Sequence, residues 1–496
     1  MSTAAGIIRT AEAGLCRPWL RHILSNAGWT ELAHASLAEH WILLGHWADT
    51  THAHALLLDA DALRIVPAST PVEAGQYPAL SPIFPGAAWY ERMVHDLWGH
   101  IPIGAIDSRP WLDHGAWPFA RPMAPRPNPA GIAEPLFLGG QDHDMILPYG
   151  PIWGRVDEAA HLRLTLNGPL IHQAEALLGF THKGTLHLMR GKSPRAAARF
   201  AARLSADATV AHSVAFAQAT ESAVDVQPPP RAAALRIVMQ EVERIAGHLD
   251  NLAEIGRLAD AHLVRTRCGG LRENLLRASA EAFGHRLMMD CIVPGGVATD
   301  IAPNGPETLL RALGTIASDL DSIRLLHDGS ALASRLSGVG RAGEKLATSF
   351  GVGGVVGRAS GRAFDTRTVF SAAYAALHPR LAVRHDGDAA ARQHLRIFEI
   401  EESLRLAAAA LDALPAGPVT IALPQASGEG IACAESIRGD VWHWLRLDHG
   451  QIAAVFPRDP GWALWPLAEC VMRNAAAEDV ELIRTSFALP ASGMDL

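Results

Sequence analysis

The sequence has little cysteine for its length, and none of it is arranged to hold a metal. Five cysteines are scattered over 496 residues without a C-x-x-C pair: Cys16, Cys268, Cys291, Cys433 and Cys470. Zinc sites, iron–sulfur clusters and disulfide frameworks use cysteines at short, regular spacings. We therefore expect no such site within this chain, and a reducing compartment. The role of Cys268 and Cys291 stays open, since neither spacing nor neighbours indicate a catalytic function.

A basic excess and a long apolar run are missing as well. With 43 Lys and Arg against 51 Asp and Glu, the net charge is −8, so the chain is not expected to bind nucleic acid. No apolar segment approaches the roughly 20 residues that span a bilayer, and the N-terminal residues do not read as a signal peptide. Any membrane association is therefore predicted to be peripheral, through a partner.

Motifs for nucleotide and hydrolase chemistry are also absent. The glycines of Gly351-Val-Gly-Gly-Val-Val-Gly357 have the wrong spacing for G-x-G-x-x-G. There is no phosphate-binding G-x-x-x-x-G-K-[ST] loop and no G-x-S-x-G nucleophile elbow. NAD, if it is involved, is therefore expected to bind a separate subunit.

Proline spacing and periodicity predict the domains and the fold class. Prolines crowd residues 118–131, so this stretch should be extended and free of ladder hydrogen bonds. We divide the chain into an N-terminal domain (1–120), a Pro-rich linker (121–140) and a C-terminal domain (141–496). The predicted class is α+β, with a small N-terminal α/β domain followed by a mainly α-helical domain with small β-sheets.

Residue periodicity also predicts individual elements. Alternation from His161, a turn at Asn167-Gly168 and renewed alternation from Leu170 predict a hairpin. An apolar stripe from Leu235 to Leu252 predicts a long amphipathic helix that begins at Arg231. The other predicted elements are strands at 55–59, 63–66, 418–423 and 440–445, and helices over 88–98, 271–290, 306–337 and 390–413.

Motifs before the linker carry a first family resemblance. Trp89-Tyr-Glu-Arg-Met-Val-His-Asp-Leu-Trp-Gly99 and Asp107-Ser-Arg-Pro-Trp-Leu112 resemble the signature of the small peripheral subunit of respiratory complex I. The match departs from that signature at Met93, where a Glu is usual. The resemblance implies that this domain serves docking rather than chemistry.

Motifs after the linker carry a second resemblance, which covers nearly everything to the C-terminus. It is to the large subunit of membrane-bound, energy-converting NiFe hydrogenases and to the quinone-reducing peripheral subunit of complex I. The matching motifs are Gly150-Pro-Ile-Trp-Gly-Arg-Val-Asp-Glu-Ala-Ala-His161, Gly179-Phe-Thr-His-Lys-Gly-Thr-Leu186, Gly354-Val-Val-Gly-Arg-Ala-Ser-Gly-Arg-Ala-Phe-Asp-Thr-Arg367, Glu435-Ser-Ile-Arg-Gly-Asp440 and Arg458-Asp-Pro-Gly-Trp-Ala-Leu-Trp-Pro466.

This resemblance implies partners and a location. We expect an iron–sulfur small subunit, which carries the cluster, and antiporter-like subunits of a membrane arm. The expected location is the cytoplasmic face of the inner (cell) membrane, with peripheral association through those partners.

The metal ligands of the hydrogenases are missing from the matching positions. In those proteins two C-x-x-C pairs supply four thiolates to nickel and iron, whereas here the positions are Ser205, Ala208, Pro490 and Gly493. Such soft metals require thiolate sulfur. The NiFe centre is therefore expected to be absent, and no cofactor is expected to be bound by this chain, although quinone remains possible.

Other family positions have changed too. Leu186 replaces a glutamate near the metal site, and Ala206 and Trp153 replace the tyrosine and histidine that the resemblance assigns to quinone. Arg203 matches the arginine beside the terminal iron–sulfur cluster of complex I, so it is predicted to face a partner's cluster. The nearby cluster-facing histidine falls on Met288.

Five residues remain as catalytic candidates: Glu158, His161, His182, Arg358 and Asp365. Each has a structural alternative. Arg358 and Asp365 would form an ion pair that stabilises the glycine-rich loop. Glu158 and His161 would make hydrogen bonds that fix the opening hairpin.

Three functions remain open from the sequence. The first is a subunit of a membrane-associated respiratory or hydrogenase-like oxidoreductase complex that couples electron transfer to ion translocation, with degenerate NiFe and quinone sites. The second is a catalytically silent structural or regulatory subunit. The third is an active quinone reductase with a divergent pocket. The electron donor, the acceptor and the transported ion are not indicated.

Overall fold

A computed structural model describes residues 3–115, 117–125, 128–129, 137–138, 145–153, 158–329 and 331–496. The α-helices are α1 (Ala4–Thr10), α2 (Asn26–Ala38), α3 (Ala87–Trp98), α4 (Thr185–Met189), α5 (Pro194–Ala201), α6 (Thr209–Ala223), α7 (Pro230–Leu258), α8 (His262–Phe283), α9 (Gly305–Asp328), α10 (Ala331–Leu336), α11 (Glu344–Ser349), α12 (Gly354–Ala359), α13 (Thr366–Val369), α14 (Ala389–Asp412), α15 (Gly461–Met472), α16 (Val480–Phe487) and α17 (Ser492–Asp495).

The strands belong to small sheets spread along the chain. They are β1 (Glu12–Gly14), β2 (Arg21–Ile23), β3 (Ile42–Ala48), β4 (His52–Asp59), β5 (Arg64–Pro71), β6 (Gln76–Pro78), β7 (Ile101–Ile103), β8 (Phe119–Ala120), β9 (Asn128–Pro129), β10 (Met145–Tyr149), β11 (His161–Asn167), β12 (Leu170–Leu177), β13 (Ile292–Val293), β14 (Gly296–Val297), β15 (Gly428–Ser436), β16 (Gly439–Asp448) and β17 (Gln451–Arg458). This mixture of helices and small sheets confirms the α+β class.

The N-terminal region is built on a five-stranded sheet with the order β1-β2-β5-β4-β3. The β2–β5 pair is parallel and the other pairs are antiparallel. Helix α3 carries the first family signature, and its buried acidic residues accept hydrogen bonds from backbone N–H groups. Glu91 accepts those of Leu80 and Ser81, and Asp96 accepts those of Trp111 and Leu112. Carboxylates that satisfy buried backbone donors explain why a helix packed in the core keeps acidic residues.

The C-terminal region packs helices α7, α14, α8 and α9 beside the antiparallel sheet β15–β16–β17. Helix α7 begins at Pro230, where proline costs nothing because the first N–H groups of a helix have no intrahelical partner. Helix α6 lies across β15 and β16. Of the hydrogenase-like ligand positions, Ser205 and Ala208 immediately precede α6, whereas Pro490 and Gly493 lie after α16.

The two regions share one apolar core. Tyr90 stacks on Trp462 with ring centroids 4.8 Å apart, and Trp47 stacks on Phe456 at 5.5 Å. Strand β15 also receives a charged contact, since the Arg21 guanidinium lies 2.8 Å from the Glu429 carboxylate. The N-terminal region therefore supports the β15–β17 sheet and helix α15, between which the motif at 458–466 runs.

Most predicted elements are confirmed, with three exceptions. The helix predicted over 271–290 begins earlier, at His262, and ends at Phe283, because Gly284 takes the left-handed conformation (φ 80°) that closes helices. The helix predicted over 306–337 is two helices, α9 and α10. The strand predicted at 418–423 is wrong, since only Thr420 pairs there, in an isolated bridge with Gly296.

The predicted linker is only partly described. Residues 126–127, 130–136 and 139–140 of the linker, and 154–157 of the opening motif, lie outside the described residues. The prediction that residues 118–131 make no ladder hydrogen bonds is wrong in one place, where Phe119–Ala120 pairs with Asn128–Pro129. None of the helices described is both long and apolar enough to cross a membrane.

Candidate functional site

Two of the four positions that match the hydrogenase ligands, Ser205 and Gly493, lie against one ion pair between Arg438 and Asp459. The Arg438 guanidinium donates to Ser205 Oγ at 3.2 Å and to Asp459 Oδ2 at 2.8 Å, and it also bonds Asp207. Gly493 lies against the same Asp459, because a Cβ at 493 would stand 2.5 Å from the Asp459 carboxyl carbon. We call Ser205, Asp207, Arg438 and Asp459 the cavity-side cluster.

Local turns hold this cluster in place. Arg438 lies in the turn between β15 and β16, where the Ser436 hydroxyl donates to the carbonyl oxygen of Gly439. Gly439 has φ 131° and approaches Gly354 so closely that a Cβ would stand 2.8 Å from the Gly354 nitrogen. Only glycine fits such a backbone contact. The glycines of two family motifs therefore bring the β15–β16 turn against helix α12.

Charge within the cavity-side cluster is matched by direct contacts. Burial alone would lower the pKa of Arg438, but Asp207 and Asp459 hold it above its ordinary value. Burial would likewise raise the pKa of Asp459, yet Arg438 and His212 hold it below its usual range. His212 Nε2 lies 3.0 Å from Asp459 Oδ2, and His212 Nδ1 lies 3.0 Å from His443 Nε2. A fixed ion pair with a histidine chain behind it thus fills this part of the fold.

A cavity of about 460 Å³ opens beside the cluster. Its wall includes Trp153, Ala206, Asp207, Met288 and Pro490. The ligand-matching position 490 therefore faces the cavity, and Ala208 lies behind the wall as the N-cap of α6, fully buried. The space next to the ligand positions remains, although their side chains offer no metal ligand.

Two carboxyl groups in the cavity wall differ from those of the cluster. Glu243 accepts the N–H groups of Val210 and Ala211 at 2.6 and 3.0 Å. Burial raises the pKa of Glu243 to about 8, against the opposing effect of these backbone donors. A carboxyl group with that pKa carries a proton at neutral pH and can release it to a base.

Glu158 is the second of these carboxyl groups, and it holds the segment of the last two ligand positions. It accepts the backbone N–H groups of Ala491 and Ser492 at 2.5 and 2.7 Å, together with the Ser492 hydroxyl. Burial and then Asp207 raise the pKa of Glu158. Glu158 therefore fixes the C-terminal segment rather than the opening hairpin.

The other two polar candidates of the opening motifs do not reach the cavity. His161 Nδ1 lies 3.4 Å from the Gly150 carbonyl oxygen, which links the beginning of β11 to the end of β10. His182 Nδ1 donates to the Asp495 carbonyl oxygen at 2.5 Å, and its ring stacks on Trp117 with centroids 4.6 Å apart. Burial lowers the pKa of His182. Leu186 is buried in α4 and is not part of the cavity wall.

Arg358 and Asp365 lie in a separate set of charges between α7, α14 and β15. The Arg358 guanidinium lies 3.3 Å from Asp365, 2.8 Å from Glu399 and 3.0 Å from Glu435. Arg367 bonds Asp365 and Glu399 as well, at 2.8 and 2.9 Å. We call these five residues the sealed cluster, because each is at most 2% exposed and none lines the cavity.

Arg203 lies on the surface. Its guanidinium pairs with Asp290 at 2.6 Å, and its side chain is 45% exposed. Met288, two residues before Asp290, lines the cavity wall. Arg203 is thus accessible from solvent. Its partner Asp290 lies two residues from the wall residue Met288, but Arg203 itself is not part of the cavity wall.

Sequence reasoning missed Arg438, Asp459 and Glu243. The first two stand inside motifs that carried the resemblance, so a signal was present. Glu243 was not indicated by the sequence, because α7 shows an apolar stripe. Several polar residues of this helix are buried as well: Arg236, Gln240, Glu241, Glu243 and Arg244. Ionisable residues on every side of a buried helix indicate an internal charge network.

Neither cofactor that the fold family implies meets its expected donors here. The cavity-side cluster supplies oxygen and nitrogen atoms that are already paired and no sulfur, so it does not fit a NiFe centre. For quinone, Ala206 provides no donor, but the Trp153 indole N–H is buried without a hydrogen-bond partner among the described residues. One such donor in a cavity wall that combines apolar and charged residues is compatible with a quinone carbonyl.

Comparison with known proteins agrees with both resemblances. Residues 36–126 match the family described as Respiratory-chain NADH dehydrogenase, 30 Kd subunit, and residues 264–427 match the 49 Kd subunit family. Formate hydrogenlyase subunit 5 of Escherichia coli (strain K12) is 27% identical over 82% of this chain and 75% of its own length. Membrane-bound hydrogenase subunit alpha of Pyrococcus furiosus is 27% identical over 68% of this chain and 84% of its own.

A solved structure shares the fold. A chain of the membrane-bound sulfane sulfur reductase, an archaeal respiratory membrane complex, superposes with a TM-score of 0.67 at 22% identity, covering 72% of this chain and 100% of that chain. The family signatures, the two family matches and the shared fold agree on one assignment. This chain therefore carries regions of the complex I 30 kDa and 49 kDa subunit families fused in one polypeptide, and its relatives include membrane-bound hydrogenase subunits.

Proposed function

We propose that this chain is a peripheral subunit of a membrane-associated oxidoreductase complex, in which the cavity-side cluster replaces a metal centre. The observation that carries the proposal is the convergence of Ser205 and Gly493 on the Arg438–Asp459 ion pair. Electrons would be carried by an iron–sulfur cluster in a partner, and antiporter-like partners would move ions. The chain would couple the two without redox chemistry of its own.

Physical chemistry supports replacement rather than a weakened metal site. A metal cation placed beside Ser205 and Gly493 would lie next to the positive charge of Arg438, which is itself buried. A cysteine at 493 would overlap Asp459, which is held by Arg438, by His212 and by the Gly461 N–H at 2.7 Å. Metal binding would therefore require both a displaced carboxylate and an expelled guanidinium.

The cavity wall offers a way to couple electron transfer in one partner to ion movement in another. Glu243 holds a proton at neutral pH because its pKa is raised to about 8, and it caps α6 through two hydrogen bonds. Loss of that proton would place a negative charge on Glu243, near Asp207. It would strengthen the electrostatic attraction between Glu243 and the Arg438 guanidinium. A change at a partner's cluster could thus be passed on as a proton movement at α6 and the β15–β16 turn.

Glu243→Gln in the purified complex separates this proposal from a silent structural subunit. Glutamine keeps the shape and one acceptor oxygen, enough for one of the two α6 N–H groups, but cannot release a proton. With the complex in vesicles and its clusters chemically reduced, we expect ion uptake to fall at least ~10-fold, as for the loss of a proton-transfer group, while the subunits still co-purify. Ion uptake equal to that of the unaltered complex would favour the silent subunit.

A quinone reductase with a divergent pocket is the second candidate, favoured by the buried, unpartnered N–H of Trp153. Trp153→Phe removes that donor and keeps an aromatic ring against Arg484, whose guanidinium lies 4.6 Å from the indole centroid. Under this alternative, quinone-dependent reoxidation of the partner's cluster would slow in Trp153→Phe. Reoxidation that is independent of quinone in both proteins would exclude it.

A further inference from the structure

Three side chains of metal-binding types meet outside the cavity wall, where α9 ends against the beginning of α14. His327 and Asp328 are the last two residues of α9, and His394 lies in the second turn of α14. Their ligand atoms all lie within 4.8 Å of one another. Asp328 Oδ1 stands between the rings, 3.2 Å from His327 Nδ1 and 2.9 Å from His394 Nε2.

Hydrogen bonding fixes which nitrogen of His394 faces Asp328 as a lone pair. His394 Nδ1 lies 2.8 Å from the carbonyl oxygen of Ala390, which can only accept, so Nδ1 carries the hydrogen. In a neutral ring Nε2 then has no hydrogen and points at a carboxylate oxygen. Two lone pairs at 2.9 Å repel unless a cation, either a proton or a metal ion, lies between them.

His327 approaches the same carboxylate from the other side, but no hydrogen bond among the described residues fixes which of its two nitrogens carries the hydrogen. Its ring is 1% exposed, Nδ1 faces Asp328, and Nε2 is buried without a hydrogen-bond partner among the described residues. A neutral imidazole and an ionised carboxylate are the forms that bind metals.

We propose that His327, Asp328 and His394 form a binding site for one divalent transition-metal ion of the Zn²⁺ type. Two imidazole nitrogens and one carboxylate oxygen are the donors that zinc takes in three-ligand sites, with water in the fourth position. Ligands about 2.0–2.1 Å from zinc lie roughly 3.3 Å apart, close to the two distances here. The exposed side chains of Asp328 and His394, at 46% and 33%, leave room for that water.

The surroundings favour a cation at this place. The C-terminal end of α9 presents unpaired carbonyl groups and the negative end of the helix dipole. The nearest turn of α9 carries Arg324, whose charge is engaged by Asp321 and Glu401 at 3.0 Å each. A bound ion would pin the end of α9 to α14, the helix that carries Glu399 of the sealed cluster.

Zinc titration of the purified full chain tests the site, after treatment with a chelator and against a competing chromophoric chelator. We expect one tight equivalent, and at least ~10-fold weaker binding in Asp328→Asn and His394→Gln. His449→Gln is the matched control, because His449 also faces a carboxylate, Asp448 at 3.7 Å, but has no third ligand. Its affinity should equal that of the unaltered chain.

Cobalt gives an independent readout of the same ligands. Co²⁺ in the unaltered chain and in His449→Gln should show intense visible bands of a tetrahedral site, which both site variants should lack. Zinc should also raise the unfolding temperature of the first two proteins only. The proposal would be overturned if the unaltered chain bound no tight equivalent of zinc, or if all four proteins bound zinc with equal affinity. A protonated His394 would then be the cation that faces Asp328.

Discussion

The sealed cluster and the wall of the cavity both hold buried carboxyl groups, but the partners of these groups differ, and so do the directions in which most of their pKa values are shifted. In the sealed cluster burial raises the pKa of Asp365 and Glu399, but neighbouring arginines outweigh burial and hold both carboxyls ionised. In the wall beside the cavity-side cluster, Glu158 and Glu243 are paired with backbone N–H groups instead, and burial raises their pKa. Burial also raises the pKa of Glu435, to about 7, although Arg358 lies 3.0 Å away, so one guanidinium partner does not by itself keep a buried carboxyl group ionised here.

Arg358→Met should have the largest effect on stability. It leaves Asp365, Glu399 and Glu435 short of one buried positive charge, and breaking such a pair by removing one partner costs about 3–5 kcal/mol. Urea unfolding of the purified chain measures this loss. Arg311→Met is the control, because the Arg311–Glu307 pair is exposed and should be worth less than about 1 kcal/mol. Equal losses in both variants would remove the structural role of the sealed cluster.

Glu243→Gln should change how stability depends on pH. The unfolded carboxyl has a pKa near 4.5 and the folded one about 8, so between these values the folded chain holds the extra proton. The unaltered chain should therefore lose stability relative to Glu243→Gln as pH rises from 4.5 to 8, by about 1 kcal/mol per pH unit. Unfolding free energies at several pH values measure the difference. A constant difference over this range would mean that Glu243 is ionised in the folded chain.

Arg438→Met sharpens the comparison between the clusters. The Asp207 side chain is 39% exposed and can be hydrated, while Asp459 keeps His212 and the Gly461 N–H as partners. We expect a loss of about 2–3 kcal/mol, less than that of Arg358→Met. The same urea unfolding series gives both free energies. A larger loss for Arg438→Met would mean that the cavity-side cluster, and not the sealed cluster, contributes more to stability.

Gly493→Ala should have the smallest effect of the four. Its Cβ would stand 2.5 Å from the Asp459 carboxyl carbon, and overpacking of this kind costs about 1–3 kcal/mol. Gly270→Ala is the control, since it lies inside α8 with no heavy atom within 4 Å of the added Cβ. That change should stabilise the chain by about 0.5–1 kcal/mol. Thermal unfolding of both variants gives the two signs, and a neutral Gly493→Ala would show that the ligand position has space.

Strong periodicity made part of the fold predictable. The hairpin β11–β12 and the helices α7 and α14 followed from alternation or an apolar stripe, because one face of each must be buried. The first half of α8 was missed because Gly269-Gly270 lowers its helix propensity, which packing against α7 and α9 overcomes. The alternating residues at 418–423 form no strand because nothing pairs with them beyond the Thr420 bridge.

The candidate site was less predictable than the fold. Motif matches located the ligand positions and showed that sulfur is missing, but they could not show what stands in its place. That depends on the β15–β16 turn and the segment after α16, which are far apart in sequence and meet only when the domain is packed. Glu158 was expected to fix the opening hairpin, and only the folded chain shows its bonds to Ala491 and Ser492.

Metal analysis of the natively purified complex, with EPR and a hydrogen-uptake assay, tests the replacement of the metal centre most directly. The account predicts iron from the clusters of partner subunits, no stoichiometric nickel and no hydrogen turnover, with or without a chemical reductant. Stoichiometric nickel together with hydrogen turnover would contradict it, because thiolates from elsewhere would then have rebuilt a metal site around Arg438.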